Sequence, residues 1–307
     1  MSDSDELSNN NNMLEYLNDK EKKMKVDLQY LLKSKLKKYG KDEILVLISI
    51  CYQCEKYEDV ITCFEELYLQ YNELYLPIEQ LQYLEIGFKS IITQKQKQLN
   101  KLKNLLDYSQ ENNNNNSEEN KGLISGINFQ SFKIEQEMKD YCLRIIKLID
   151  TFIIKNISEK INGINRELES FLYKIKGDSC KYLILIEKND DIKNNYLKEA
   201  KNHYKNCIYV CNKYLYIANR IYLNCILSYL KFLIFFGNGV KEAKNIINDY
   251  INKDEIKDIQ NNTEKPEHKI IEEIIELKNY IEKKEKEKGN ENEKENENEN
   301  ENKEDES

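Results

Sequence analysis

The side chains best placed for chemistry lie in Tyr173-Lys174-Ile175-Lys176-Gly177-Asp178-Ser179-Cys180-Lys181-Tyr182. Lys174, Asp178 and Lys181 recur at i, i+4 and i+7, which puts them on one face of a helix. Asp178 can pair with either lysine and hold its ammonium in one direction. Tyr182 flanks that stripe and shares the edge of the apolar face. By itself a Lys/Asp stripe is usually a solvated surface, so its chemistry needs a second argument. Gly177 inside this helix costs about 1 kcal/mol relative to Ala, and either close packing or compositional drift must account for it.

The remaining candidates are thiols. Cys51-x-x-Cys54 has the spacing of a redox or zinc pair. No second such pair exists, and His203 and His268 are the chain's two histidines, so buried structural thiols mid-helix fit better. Cys207 and Cys211, one helical turn apart near His203, could form a metal face, but the scarcity of further ligands argues for no metal. Neither a glycine-rich phosphate loop nor a Ser/His/Asp or Cys/His arrangement is present. The expectation is therefore a non-enzyme with no catalytic residues and no cofactor.

The elements that must position these residues are helical. The 307 residues include nine Gly and two Pro, Pro77 and Pro266, too few turn formers for an all-β chain. Hydrophobic residues make up 40% and charged residues 33%, with a mean hydropathy of −0.77, which fits a soluble core with polar ends. A net charge of −8 argues against nucleic acid as a partner. The basic residues include three arginines, Arg144, Arg166 and Arg220, so lysine stands where other chains use Arg. The acidic start, Met1-Ser2-Asp3-Ser4-Asp5, does not read as a secretory leader. The most apolar stretch, Ile221 to Phe236, is interrupted by Asn224 and Lys231, so no integral membrane association is expected. Eight cysteines then read as reduced thiols of a cytoplasmic, or nuclear, protein.

Three regions follow along the chain. Residues 1–40 form an N-terminal extension: a polar tail, then a possible extra helix over 13–40, with a Lys-rich end. A packed or solvated helix is favoured there over a membrane- or partner-binding one. Residues 41–287 form a helical domain, with Pro77 opening a long helix and Leu81, Leu84, Phe88 and Ile92 as one apolar stripe. Within it, 108–127 is a disordered insertion around five consecutive Asn. Ile164, Leu168, Phe171, Leu172, Ile175, Tyr182 and Ile186 keep one face of a later helix. Further helices are predicted over 194–214, 217–236, 240–251 and 267–286. Residues 288–307, with their Glu-Asn alternation, form an acidic disordered tail. Short loops between helices imply an all-α antiparallel array.

The order of the motifs carries a family resemblance. Tyr173 to Leu183 resembles the 14-3-3 segment of the form YxKxKGDxxRYL, with Lys181 at its Arg. Tyr52-Gln-Cys-Glu-Lys-Tyr-Glu-Asp59 is similar to that family's AEQAERYDD, and Leu84-Glu-Ile-Gly-Phe-Lys89 to its LSVAYK. Met138-Lys-Asp-Tyr-Cys142 is similar to its LRDIC, and Leu223-Asn224 to its LN pair. The resemblance runs in order from about Asp42 to Lys283, and the chain is identified as a divergent member of the 14-3-3 family.

That resemblance implies an antiparallel array of about nine helices, dimerisation, and a groove that grips peptides around phosphoserine or phosphothreonine. It assigns the phosphate site to Lys89, Lys181 and Tyr182, with Gln96 standing at a family Arg. Lys95 and Lys97 flank Gln96 but point about 100° to either side. Lys174 matches another groove lysine, and Asn224 and Asn279 match residues that pair with the ligand backbone. Ile86, Leu223, Leu227 and Ile275 match the apolar wall, while Lys231 stands at a family Glu and Glu272 at an apolar position. For the dimer, Lys56 pairs with the partner position Glu137 and Asp59 with Lys133, beside Ile50 and Cys54. The partners implied are phosphorylated proteins and a second copy or another family member. Two functions compete: a phosphopeptide-binding adaptor with a weakened pocket, or a helical dimerisation scaffold that no longer depends on phosphate.

Overall fold

The computed structural model describes residues 32–71, 76–111, 118–154 and 166–304. Among them no strand occurs, and the array comprises ten α-helices and one π-helical segment from Lys41 onward, preceded by a helical stretch at 32–36. The all-α expectation holds. The helices divide into two compact units, residues 1–134 with 150–156, and residues 135–149 with 157–307.

The first unit contains α1 (Lys41–Gln53), α2 (Tyr57–Gln70), α3 (Ile78–Glu111) and the first half of α4 (Glu118–Leu148). Gly40 caps α1, its N–H donating to Glu43 Oε2 at 2.7 Å, so an acidic first turn meets the helix's positive end. Glu55, at φ 56°, makes the tight reversal into α2. Pro77 precedes α3 and its carbonyl accepts from Gln80 and Leu81, as its placement at a helix start predicts. Ile44 and Ile48 of α1, Val60, Ile61, Phe64 and Leu67 of α2, and Leu81, Leu84, Phe88 and Ile92 of α3 form the core. Residues 32–36 are helical, Leu36 is fully buried and Lys33 pairs with Glu65, so this end of the extension is a packed helix. Residues 1–31 of the extension, and Ile164, lie outside the described residues.

The second unit contains the second half of α4, then α5 (Arg166–Ile186), α6 (Asp190–Tyr214), α7 (Arg220–Phe235), α8 (Val240–Ile251), α9 (Asp254–Gln260) and α10 (His268–Glu304). Two Asn side chains stop the loops from fraying: Asn189 Oδ1 accepts from Ile192 N–H and caps α6, and Asn219 Oδ1 accepts from Ile221 N–H and caps α7. A three-residue connection folds α6 back along α5. Lys139 to Glu187 at 3.0 Å and Lys188 to Glu135 at 2.8 Å tie the end of that hairpin to α4.

Three expectations need correction. The insertion is narrower than 108–127: α3 continues to Glu111 and α4 begins at Glu118, leaving 112–117 outside the described residues. Helix-forming Leu, Lys, Gln and Glu lie on either side of the Asn run and carry the helices to Glu111 and from Glu118. The backbone of α10 likewise continues through Glu304, past Lys288 where composition predicts disorder, because Glu and Lys both favour helix. Finally, α9 has no counterpart in the sequence reading. It has 7 residues and buries Ile256 and Ile259, a pair too short to generate a periodic signal.

Candidate functional site

The Lys/Asp stripe on α5 is not a solvated face. Asp178 is 2% exposed and Lys174 3%, and Asp178 is the acceptor for three donors. Lys174 Nζ donates to Oδ2 at 3.0 Å, Lys181 Nζ to Oδ1 at 3.0 Å, and the Tyr204 hydroxyl of α6 to Oδ1 at 2.7 Å. Gly177 explains how Tyr204 reaches in. A Cβ there would lie 2.8 Å from the Tyr204 ring, so close packing, not drift, accounts for the glycine. Burial and the Asp178 charge push the Tyr204 phenol well above its ordinary range, which keeps it a hydrogen-bond donor.

In this arrangement one carboxylate faces two ammonium groups. Lys174 is wholly enclosed, whereas the Lys181 side chain is 15% exposed and its Nζ lies 4.9 Å from the centre of the Tyr182 ring. The bond to Asp178 takes one of its three N–H donors and fixes the direction of the others. Tyr182 is half-buried beside it. Lys181 and Tyr182 thus stand together on a helix whose interior clamp orients the lysine.

The other expected groove residues of this unit are more mixed. Asn224 is half-buried on α7, with its Nδ2 donating to the Arg220 carbonyl at 2.9 Å, and Asn279 is exposed on α10. Leu223 and Leu227 are buried and Ile275 half-buried. Lys231 pairs with Glu273 at 2.6 Å, so the charge that replaces a family Glu is offset across α7 and α10.

In the first unit, Lys89 lies on α3 with its Nζ 2.6 Å from Glu85. Ile86, Lys89, Ser90, Thr93, Gln94 and Lys97 line one depression along that helix. Gln96 is half-buried and is not among them. Lys97 lines that depression together with Lys89.

The expected dimer residues of α1 and α2 are open. Val46, Ile50 and Cys54 recur every fourth residue, with Val46 59% and Ile50 48% exposed. Lys56 is exposed and Asp59 half-buried, where burial and Glu58 push its carboxyl up and Lys56 opposes the shift. Lys133 and Glu137 both lie half-buried on α4. The reading of Cys51 and Cys54 as mid-helix buried thiols needs correction. α1 ends at Gln53, leaving Cys54 exposed at its C-cap and Cys51 half-buried. Burial and the neighbouring Cys51 raise the Cys63 thiol to about 12.

Cys207 and Cys211 do face one way on α6, and Cys225 of α7, which sequence spacing could not associate with them, joins them. His203 stacks against Tyr173 instead, with ring centres 6.4 Å apart. Hydrogen bonds from its two thiol neighbours hold Cys211 below the usual thiol range, while burial pushes Cys207 and Cys225 well above it.

Comparison with known proteins follows the same lines. The Gallus gallus 14-3-3 protein theta is 25% identical over 153 residues, 50% of this chain and 56% of that protein. The Homo sapiens theta protein gives the same identity and coverage. The Arabidopsis thaliana 14-3-3-like protein GF14 chi is 24% identical over 144 residues, 47% of this chain and 49% of its own length. The chain thus spans about half the length of the curated relatives it matches. The profile described as 14-3-3 protein matches residues 47–281, close to the limits that the ordered motifs set. With that match across most of the helical array, the chain belongs to the 14-3-3 family.

Proposed function

We propose that the chain is an adaptor that binds peptides around phosphoserine or phosphothreonine and acts as a dimer. The observation that supports this most is the clamp on α5, where a buried carboxylate directs Lys181 beside Tyr182. A phosphate dianion offers acceptor oxygens that suit an oriented ammonium and a phenolic hydroxyl. Lys181 and Tyr182 are the phosphate donors of the second unit, with Asn224 and Asn279 pairing with the peptide backbone. Within the first unit, Lys89 and Gln96 are the residues that the family resemblance assigns to phosphate, and Gln96 offers a hydrogen bond but no charge. The pocket is weaker than an arginine-built one, since lysine is a point charge without a guanidinium fork. Each missing charge-assisted hydrogen bond costs about 1.5–3 kcal/mol.

Dimerisation offsets that weakness, because two grooves on one body raise avidity for doubly phosphorylated partners. The apolar stripe Val46-Ile50-Cys54 provides the burial, and Lys56 with Glu137 and Asp59 with Lys133 provide the register. Light scattering of the full chain should give about twice the chain mass. Lys56→Glu should weaken the dimer, and adding Glu137→Lys should restore it; a monomer at micromolar concentration refutes the arrangement.

Calorimetric titration of one peptide, with and without phosphate on its serine, tests the main reading. The phosphorylated form should bind, and Lys181→Met should remove that binding. Equal affinity for both forms would favour the scaffold that no longer depends on phosphate.

A further inference from the structure

Beneath the α5 clamp, the core of the second unit gathers three sulfurs that peptide binding does not use. The Sγ atoms of Cys207, Cys211 and Cys225 all lie within 4.8 Å of one another, and each of these residues is 0% exposed. Cys225 Sγ also lies 3.9 Å from the Ser170 carbonyl. An ion bonded to three sulfurs at about 2.3 Å holds them about 4 Å apart, so side-chain adjustment alone closes the set around an ion. The other buried thiols, Cys63, Cys142 and Cys180, form no such trio among the described residues.

The donor set selects the ion. Three sulfurs with no carboxylate exclude hard cations such as Ca²⁺ and Mg²⁺, which take oxygen. Structural zinc closes a four-ligand tetrahedron. His203, one turn before Cys207, is the nearest fourth ligand in sequence, but its ring stacks on Tyr173 and does not join the trio. A soft ion content with two or three thiolates fits better. We propose that Cys207, Cys211 and Cys225 form a buried binding site for Cu(I). Each sulfur bonds as a thiolate, any proton it carried passing to solvent, and the ion stays Cu(I), so no electron is transferred.

The test uses the reduced full chain under anaerobic conditions, titrated with Cu(I) against a coloured Cu(I) chelator. One ion per chain should be retained, and copper X-ray absorption should show sulfur neighbours only. Cys207→Ser and Cys225→Ser should each weaken retention at least tenfold, while Cys142→Ser, a buried thiol outside the trio, should not; circular dichroism confirms that each variant folds. A measurement without variants covers the case in which they do not fold. In mild urea, Cu(I) should slow alkylation of Cys207, Cys211 and Cys225 specifically, as mapped by mass spectrometry. No retained ion, protection of Cys51 and Cys54 instead, a Cys225 disulfide in place of the metal, or tighter four-coordinate binding of zinc would each overturn the assignment.

Discussion

Replacing Asp178 by Asn keeps the size of the side chain and removes its charge. The native carboxylate accepts from Lys174 at 3.0 Å, from Lys181 at 3.0 Å and from Tyr204 at 2.7 Å. The Lys174 and Asp178 side chains are 4% and 3% exposed, so solvent screens almost none of their interaction. Removing one partner of a buried pair costs about 3–5 kcal/mol, because the other charge is left without compensation. The Asn carbonyl still accepts hydrogen bonds, which places Asp178→Asn at the lower end, about 3 kcal/mol. Against a total stability of about 5–15 kcal/mol that is a large fraction. The chain has no Trp, so urea unfolding is best followed by circular dichroism. With a slope of about 2–3 kcal/mol/M, the midpoint should fall by about 1 M. Adding Lys174→Met removes both charges and should recover most of the loss. A single variant within about 0.2 M of the native midpoint, or a double variant no more stable than the single, would refute the idea that Asp178 compensates a buried charge.

Three further outcomes follow from the same geometry. Gln96→Arg should tighten phosphopeptide binding about tenfold, or about 1.4 kcal/mol, by restoring a fork donor; unchanged calorimetric affinity would mean that Gln96 lies outside the site. Gly177→Ala should destabilise by about 1–3 kcal/mol in urea despite its better helix propensity, since the added Cβ meets the buried Tyr204 ring at 2.8 Å. The backbone N–H of Asn189, together with Lys139, holds the Glu187 carboxyl below its ordinary value. Its stabilising effect is therefore complete above the unfolded carboxylate range and is lost as pH falls through the lower folded value. The stability gap between the native chain and Glu187→Gln should close below about pH 4, and a gap that persists there would show that charge is not its cause.

How much of this was legible in the sequence depends on the distance over which each signal acts. Pro77 and the Leu81-Leu84-Phe88-Ile92 stripe are local signals, and the helix forms where these residues place it. The α5 stripe was also legible, since Lys174, Asp178 and Lys181 share a face by spacing alone. Its burial was not. Nothing local distinguishes a solvated Lys/Asp row from an enclosed one, because the enclosing group, Tyr204, comes from the next helix. Gly177 left close packing and compositional drift both open, because the ring that decides between them also comes from the next helix. Cys225 was invisible for the same reason, as it meets Cys207 and Cys211 only through the packing of α7 on α6.

These residues form a sequence of dependences, and each step restricts the next. The absence of a side chain at Gly177 lets the Tyr204 ring pack against α5. That approach brings the phenol onto Asp178, which gives the buried carboxylate a neutral donor as well as two cations. The carboxylate in turn makes a buried Lys174 tolerable, and its second oxygen directs Lys181. An arginine at 181 could aim itself through a planar fork, but a lysine has a flexible stem and three rotatable donors. Its orientation must come from outside the side chain, and here it comes from Asp178 on one side and the Tyr182 ring on the other. The loss of arginine across this chain therefore does not by itself disarm the α5 site. It moves the burden of orientation from the donor to its support, so changes at Gly177, Tyr204 or Asp178 should be felt at Lys181 as strongly as changes to Lys181 itself.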